Sequence, residues 1–218
     1  MRDAWEIVKK EFVCDMRSRT GLGTGVLFAV SSAVSLGLAG SKFEASASVI
    51  AGLTWAAVLF TSVVAVSRTF IAEEEAKTAD LLRVFGRMSA VFWGKVVYAS
   101  AVMICLGFLQ AGLVLVLLSG SVADPLMFIA SLASGCCTLA VGLTVCSSMA
   151  ARAGGGAGLA GVMAIPLLLF VLAPGIAALR ASLGDPLPNA WASVVALVGF
   201  GSALCAAGPY AFAAAWKS

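Results

Sequence analysis

Six stretches of this chain carry no charged residue, and their lengths decide the fold. They run over 20–41, 45–67, 96–123, 125–151, 153–179 and 186–216, which is 22, 23, 28, 27, 27 and 31 residues. An α-helix rises ~1.5 Å per residue, so ~20 apolar residues cross ~30 Å of hydrocarbon. Each run is long enough for one crossing and too short for two with a turn. Within hydrocarbon every backbone N–H and C=O needs a partner in its own segment, which a helix supplies. A transmembrane β-barrel would show alternating segments of ~10 residues, and none is present. The runs predict an all-α membrane protein with six transmembrane helices, at about 20–41, 45–67, 96–119, 126–150, 156–179 and 189–214. One transmembrane domain over 1–218 accounts for them. Composition agrees, because 61% of the residues are apolar and 11% charged, against about 45–50% and 25% in soluble domains. A water-soluble globule of this kind would lack the polar surface to cover itself.

The basic residues set the orientation. With six spans both termini share a side, which receives Arg2, Lys9, Lys10, Arg17, Arg19, Arg68, Lys77, Arg83, Arg87, Lys95, Arg152 and Lys217. The opposite side receives only Lys42 and Arg180. A bias of 12 to 2 places the N- and C-termini in the cytoplasm. The first 19 residues contain four acids, Asp3, Glu6, Glu11 and Asp15, and the run behind them exceeds the 7–15 residues of a signal-peptide core. The first run is therefore expected to stay as a membrane helix.

Two charged segments lie on the basic side. In 1–19, Trp5, Val8, Phe12 and Met16 recur at helical spacing among polar neighbours, the pattern of an interfacial helix on the inner leaflet. The plainer alternative is a solvated charged tail that only orients insertion. In 68–87, Glu73, Glu74 and Glu75 precede Lys77, Thr78, Leu81, Leu82, Phe85 and Arg87. Glu73 and Lys77 stand four apart with the acid first, the favourable order on a helix. Thr78, Leu81, Leu82 and Phe85 form one apolar face, and acids before bases suit the helix macrodipole. This amphipathic stretch needs an apolar partner, either the membrane interface or a groove on a separate soluble protein. A solvated helix with only local charge pairs is the third option.

Chemistry of the chain's own is hard to find. The only Gly-Lys is Gly94-Lys95, followed by Val96, so no Walker A loop exists. Gly21, Gly23 and Gly25 open a membrane run and follow no strand, which argues against a dinucleotide site. The chain has no His, so a Ser–His pair cannot form. Asp124 and Asp185 fall in expected external loops and offer no intramembrane aspartate pair. The six cysteines, Cys14, Cys105, Cys136, Cys137, Cys146 and Cys205, contain no C-x-x-C, and five sit in membrane runs as small hydrophobes. The six runs hold no ionisable residue of the kind an ion-coupled carrier keeps at membrane depth. A net charge of +3 gives no reason to expect nucleic acid. The reading is a membrane subunit, not an enzyme, driven by something else and binding no cofactor.

Inside the bundle, Gly21xxxGly25 and Gly154xxxGly158 are candidate contact faces, each weak alone. Gly154-Gly155-Gly156 precedes the fifth span, which contains Pro166 and Pro174. Each proline removes a backbone donor and tends to kink a helix, which serves as a gate or is an inert bend. Pro209 is expected to break the last span near its end.

Four stretches together resemble the membrane permease of the cytochrome c maturation haem exporter, the CcmB-type subunit of an ABC-2-like transporter. Trp5-Glu-Ile-Val-Lys-Lys-Glu-Phe12 with Arg17-Ser-Arg19 is similar to that family's basic lead helix. Ser67-Arg68-Thr-Phe70, Glu73-Glu74-Glu75, Thr78 and Asp80-Leu81-Leu82 resemble its acidic "EREEGTLEGLLL" coupling segment. Val91-Phe-Trp-Gly94-Lys95 resembles the lead-in to its third span, and Pro166-Leu-Leu-Leu-Phe170 with Leu172, Pro174 and Ala177-Ala-Leu-Arg180 its proline-bearing fifth span. The resemblance in length, span count and motif order covers nearly the whole chain. Lys77-Thr78 stands where the family has Gly-Thr, and Phe85-Gly86-Arg87 where it has Ser/Thr-Pro after the leucines. Other ABC-2 permeases share the acidic segment.

The resemblance implies a permease domain in a bacterial inner membrane, docked by a cytoplasmic ABC ATPase of the CcmA type. Glu73, Glu74, Glu75, Thr78, Leu81, Leu82 and Phe85 are the expected docking surface, and Pro166 and Pro174 the candidate gating kinks. It also implies membrane partners of the CcmC and CcmD types, and haem as substrate rather than resident cofactor. A half-transporter of six spans suggests a second copy. Without His, no imidazole from this chain can ligate haem iron. Trp55, Trp93 and Tyr98 are expected in an interfacial aromatic belt, with contact to haem or lipid the alternative. Two further readings stay open at this point: an ABC-2 exporter of another substrate, such as a lipid, drug or polyketide, and a structural subunit that only anchors partners.

Overall fold

A computed structural model describes residues 2–18, 21–40, 46–67, 70, 73, 88–153, 157–185 and 187–217. Its elements are helices: α1 (Arg2–Ser18), α2 (Gly21–Gly40), α3 (Ala47–Val66), α4 (Met88–Leu117), α5 (Pro125–Arg152), α6 (Ala157–Ser182) and α7 (Ala190–Lys217). The described residues include no strand. Six helices, α2 to α7, are long and apolar enough to cross a membrane. Their bounds agree with the six charge-free runs to within a few residues, except for α4. That helix starts at Met88, eight residues before the expected start at 96, and carries Lys95 inside it. Over 30 residues it is ~45 Å long, more than the hydrocarbon requires.

The helices form because long Leu/Val/Ala stretches satisfy their own backbone, and they stop where the sequence says so. Asp124 caps α5, its Oδ1 accepting from Met127 N at 3.1 Å, with Pro125 at the first helical position. The turn before α5 meets the end of α6, where Ala123 N and Asp124 N donate to Ser182 O at 2.9 and 3.0 Å. Gly184 at φ 97° reverses the chain there, and Arg180 Nε donates to Asp185 Oδ2 at 2.5 Å. α6 runs unbroken through Pro166 and Pro174. α7 likewise continues past Pro209 to Lys217, so the expected break at Pro209 does not occur.

α5 is the centre of the bundle, packed against α3, α4, α6 and α7. The main core joins Trp55 and Val58 of α3, Met103 of α4, Leu132, Leu139 and Leu143 of α5, Leu168 of α6 and Leu197 of α7. Trp55 is fully buried, which corrects its assignment to an aromatic belt. Glycine makes this possible. A methyl group on Gly175 would stand 2.6 Å from the Trp55 ring, and one on Gly135 would overlap it. The indole therefore lies between the backbones of α5 and α6. Of the motif glycines, Gly25 packs on Ala65 and Leu106, whereas Gly158 meets nothing. Polar side chains in the bundle bond to helix carbonyls, as Thr54 does to Ile50 O at 2.8 Å and Thr144 to Ala140 O at 2.6 Å. Gln110 of α4 is fully buried, and its amide nitrogen donates to Thr61 Oγ1 at 2.8 Å and Ser32 Oγ at 3.1 Å. It links α2, α3 and α4. Leu27, Val116, Phe170 and Val195 are exposed on the outside, as lipid-facing residues are.

Candidate functional site

The end of the bundle that holds α1 also holds the start of α4, the last turns of α5 and α7, and two described residues of 68–87, Phe70 and Glu73. α1 lies along α4 because the two helices match in shape and then in charge. Gly94 leaves room for Ile7, since a methyl group there would come within 2.6 Å of the Ile7 Cβ. One α1 face then presents Ile7, Glu11 and Asp15, each four residues from the next along the helix. Glu11 Oε1 accepts from Lys95 Nζ at 3.0 Å, and Asp15 Oδ2 accepts from the Tyr98 hydroxyl at 2.6 Å. Beside this face Trp5, Phe12 and Met16 stay exposed. Trp5 and Trp93 flank a cavity of about 430 Å³ between α1 and α4, with Val8, Val97 and Asp3 in its walls.

Lys95 is the centre of the charged group. Its side chain is 0% exposed. The ammonium is held by Glu11 at 3.0 Å and by Glu73 Oε2 at 3.1 Å, and it stands 4.6 Å above the Phe70 ring. Lys10 closes the group, bonding to Glu11 at 3.0 Å and to Glu73. Among the described residues, two cations and two carboxylates thus meet where α1, α4 and residue 73 converge. Burial alone would pull the Lys10 ammonium down, but the charges and hydrogen bonds of Glu11 and Glu73 outweigh it and hold its pKa above the usual Lys value. Burial would likewise push the Glu11 carboxyl up, yet Lys95 and Lys10 together hold it below the usual Glu value.

Phe70 fixes the same segment from its other side. Its ring lies 5.2 Å from Phe212 of α7, and Phe212 lies 5.6 Å from Phe92 of α4. Its backbone N–H donates to Ser147 Oγ of α5 at 3.1 Å, and Glu73 N donates to Phe70 O at 3.2 Å.

Among the expected docking residues, Glu73 is buried and turned toward Lys10 and Lys95. Glu74, Glu75, Thr78, Leu81, Leu82 and Phe85 lie outside the described residues, as do Gly154, Gly155 and Gly156. Pro166 is exposed and Pro174 half-buried, and neither joins the charged group. Sequence reasoning missed Lys10, Glu11 and Lys95 as a set, because it counted the lysines toward topology and left Glu11 among the acids of a tail. The signal was present in part. Lys95 follows an apolar helical stretch that begins at Met88, and a charge there needs a partner.

A family model described as CcmB protein matches residues 2–218. The chain belongs to the CcmB family. With six apolar helices it is a multi-pass membrane protein of that family. Comparison with curated proteins gives no significant match.

Proposed function

We propose that this CcmB-family chain is the membrane permease subunit of an ABC-type complex that exports or delivers haem for c-type cytochrome biogenesis. The observation that carries this reading is the family match over 2–218. It is supported by the absence of a Walker A sequence, which leaves ATP hydrolysis to a separate chain. The complex lies in the bacterial inner membrane with both termini in the cytoplasm. A CcmA-type ATPase docks on the 68–87 coupling segment through Glu74, Glu75, Thr78, Leu81, Leu82 and Phe85. CcmC- and CcmD-type membrane subunits and a second copy of the chain complete it, and haem is the substrate. The 1–19 helix lies on the inner leaflet with Trp5, Phe12 and Met16 toward lipid. Pro166 and Pro174 let the fifth span bend as the gate opens.

Deletion of the gene followed by a haem stain tests the reading. Loss of covalent haem from c-type cytochromes, restored by the intact chain, is the expected result. Normal cytochromes with altered resistance to toxic compounds would identify an exporter of another substrate instead. Full function with a partner ATPase disabled in its Walker motif would identify a structural subunit. Leu82→Asp places a charge on the apolar docking face and is expected to abolish co-purification of the ATPase. Unchanged co-purification and unchanged haem attachment would remove 68–87 from the docking role.

A further inference from the structure

The Lys10–Glu11–Glu73–Lys95 group joins three parts of the chain that are distant in sequence. Lys95 belongs to α4, Lys10 and Glu11 to α1, and Glu73 to the segment after the second span. The Lys95 side chain is wholly enclosed, and its ammonium lies between the two carboxylates at 3.0 and 3.1 Å. An uncompensated charge in such a place costs several kcal/mol or more. Withdrawal of Glu11 or Glu73 therefore removes part of the compensation that Lys95 has. Stability alone does not demand ions here, because well-packed apolar residues of similar volume would hold the helices at least as firmly. Ions differ in that removing one partner leaves a buried charge of the other sign in excess.

We propose that Lys95 is a positioning residue that fastens α1 and the start of the 68–87 segment to one turn of α4. Displacement of that segment then carries α4 and α1 with it, or opens the ion group, and is not absorbed locally. Glu73 accordingly ties the segment inward. The fastening stands on the geometry alone. The transmission of motion rests on the proposed ATPase docking.

The test uses the full-length chain in detergent and measures backbone hydrogen exchange along α1. Lys95→Met leaves Glu11 and Glu73 against Lys10, and Glu73→Gln leaves Lys10 and Lys95 sharing Glu11. Each alone is expected to speed α1 exchange at least about tenfold. The double variant removes one charge of each sign and keeps the Lys10–Glu11 pair. Its exchange is expected within about threefold of the parent, whereas independent effects would multiply to about a hundredfold. Unchanged exchange in Lys95→Met, or a double variant at the multiplied value, overturns the fastening. If the single variants fail to accumulate, accumulation of the double variant supports it and failure of all three overturns it. A second measurement uses the ATPase-bound complex. The double variant should retain the ATPase but lose any nucleotide-dependent change in α1 exchange that the parent shows. A parental response in the double variant overturns the transmission. If the parent holds no ATPase, the proposed docking fails, while the first measurement still decides the fastening.

Discussion

Trp55 shows how much one residue organises. It fills the space between α5 and α6 that Gly135 and Gly175 leave open. Trp55→Ala should lower stability by about 3–5 kcal/mol, and Gly175→Leu should also reduce accumulation, since a Cβ there would already stand 2.6 Å from the ring. Thermal denaturation of the detergent-solubilised chain checks both. Trp55 was expected at a membrane interface because an isolated Trp in an apolar run usually marks one. Its place near the middle of the 45–67 run argued otherwise. What the sequence did not disclose was the pair of glycines, which come from two later helices. At the other end, Glu11 supplies a pH dependence. Its pKa is lowered from the usual value near 4.5, so its contribution is present above that value and disappears as pH falls through the lowered one. Lys10, raised from near 10.5, contributes fully below that value and loses its share only as pH rises beyond the raised one. Stability of the α1–α4 contact should therefore be flat between these limits and fall at the acid end. Hydrogen exchange of α1 across a pH series, corrected for intrinsic rates, measures it, and a flat acid limb would contradict the ion pairing.

The element that carries the most consequence is α1. It is seated on α4 by Ile7 over Gly94 before any charge is counted. Gly94→Leu should therefore lift α1 and separate Glu11 from Lys95, raising the reactivity of a maleimide toward residues on the inner face of α1, such as an introduced Ile7→Cys. Unaltered labelling would mean that the contact tolerates the added bulk. The six spans were legible because charge-free lengths respond directly to hydrocarbon thickness. The start of α4 was not, because a lysine was treated as a boundary. Lys95 is inside the helix and answered by carboxylates from residues 84 and 22 positions earlier in the chain, and no local pattern reports partners so far away. The spacing in 1–19 predicts a helix, and α1 is one over Arg2–Ser18 with Trp5, Phe12 and Met16 exposed. That spacing did not reveal the inward acids, which a hydrophobic periodicity passes over.

On the scale of the molecule, the turns after α4 and α6 share one end, while α1, Lys95 and Phe212 share the other. If the second end is cytoplasmic, as the bias of basic residues predicts, an impermeant maleimide added to intact cells should label an introduced Ser121→Cys and spare the exposed native Cys14. The reverse pattern would invert the topology. Gln110 bears on how such a bundle is made. Alone in lipid, its amide would be a burden on the fourth helix, and the hydroxyls that receive it belong to Ser32 and Thr61. Both lie in helices translated earlier. Synthesis from the N-terminus thus has the acceptors waiting in the bilayer when the amide leaves the translocon, and a circular permutant that delivers the fourth helix first would have to insert it without them.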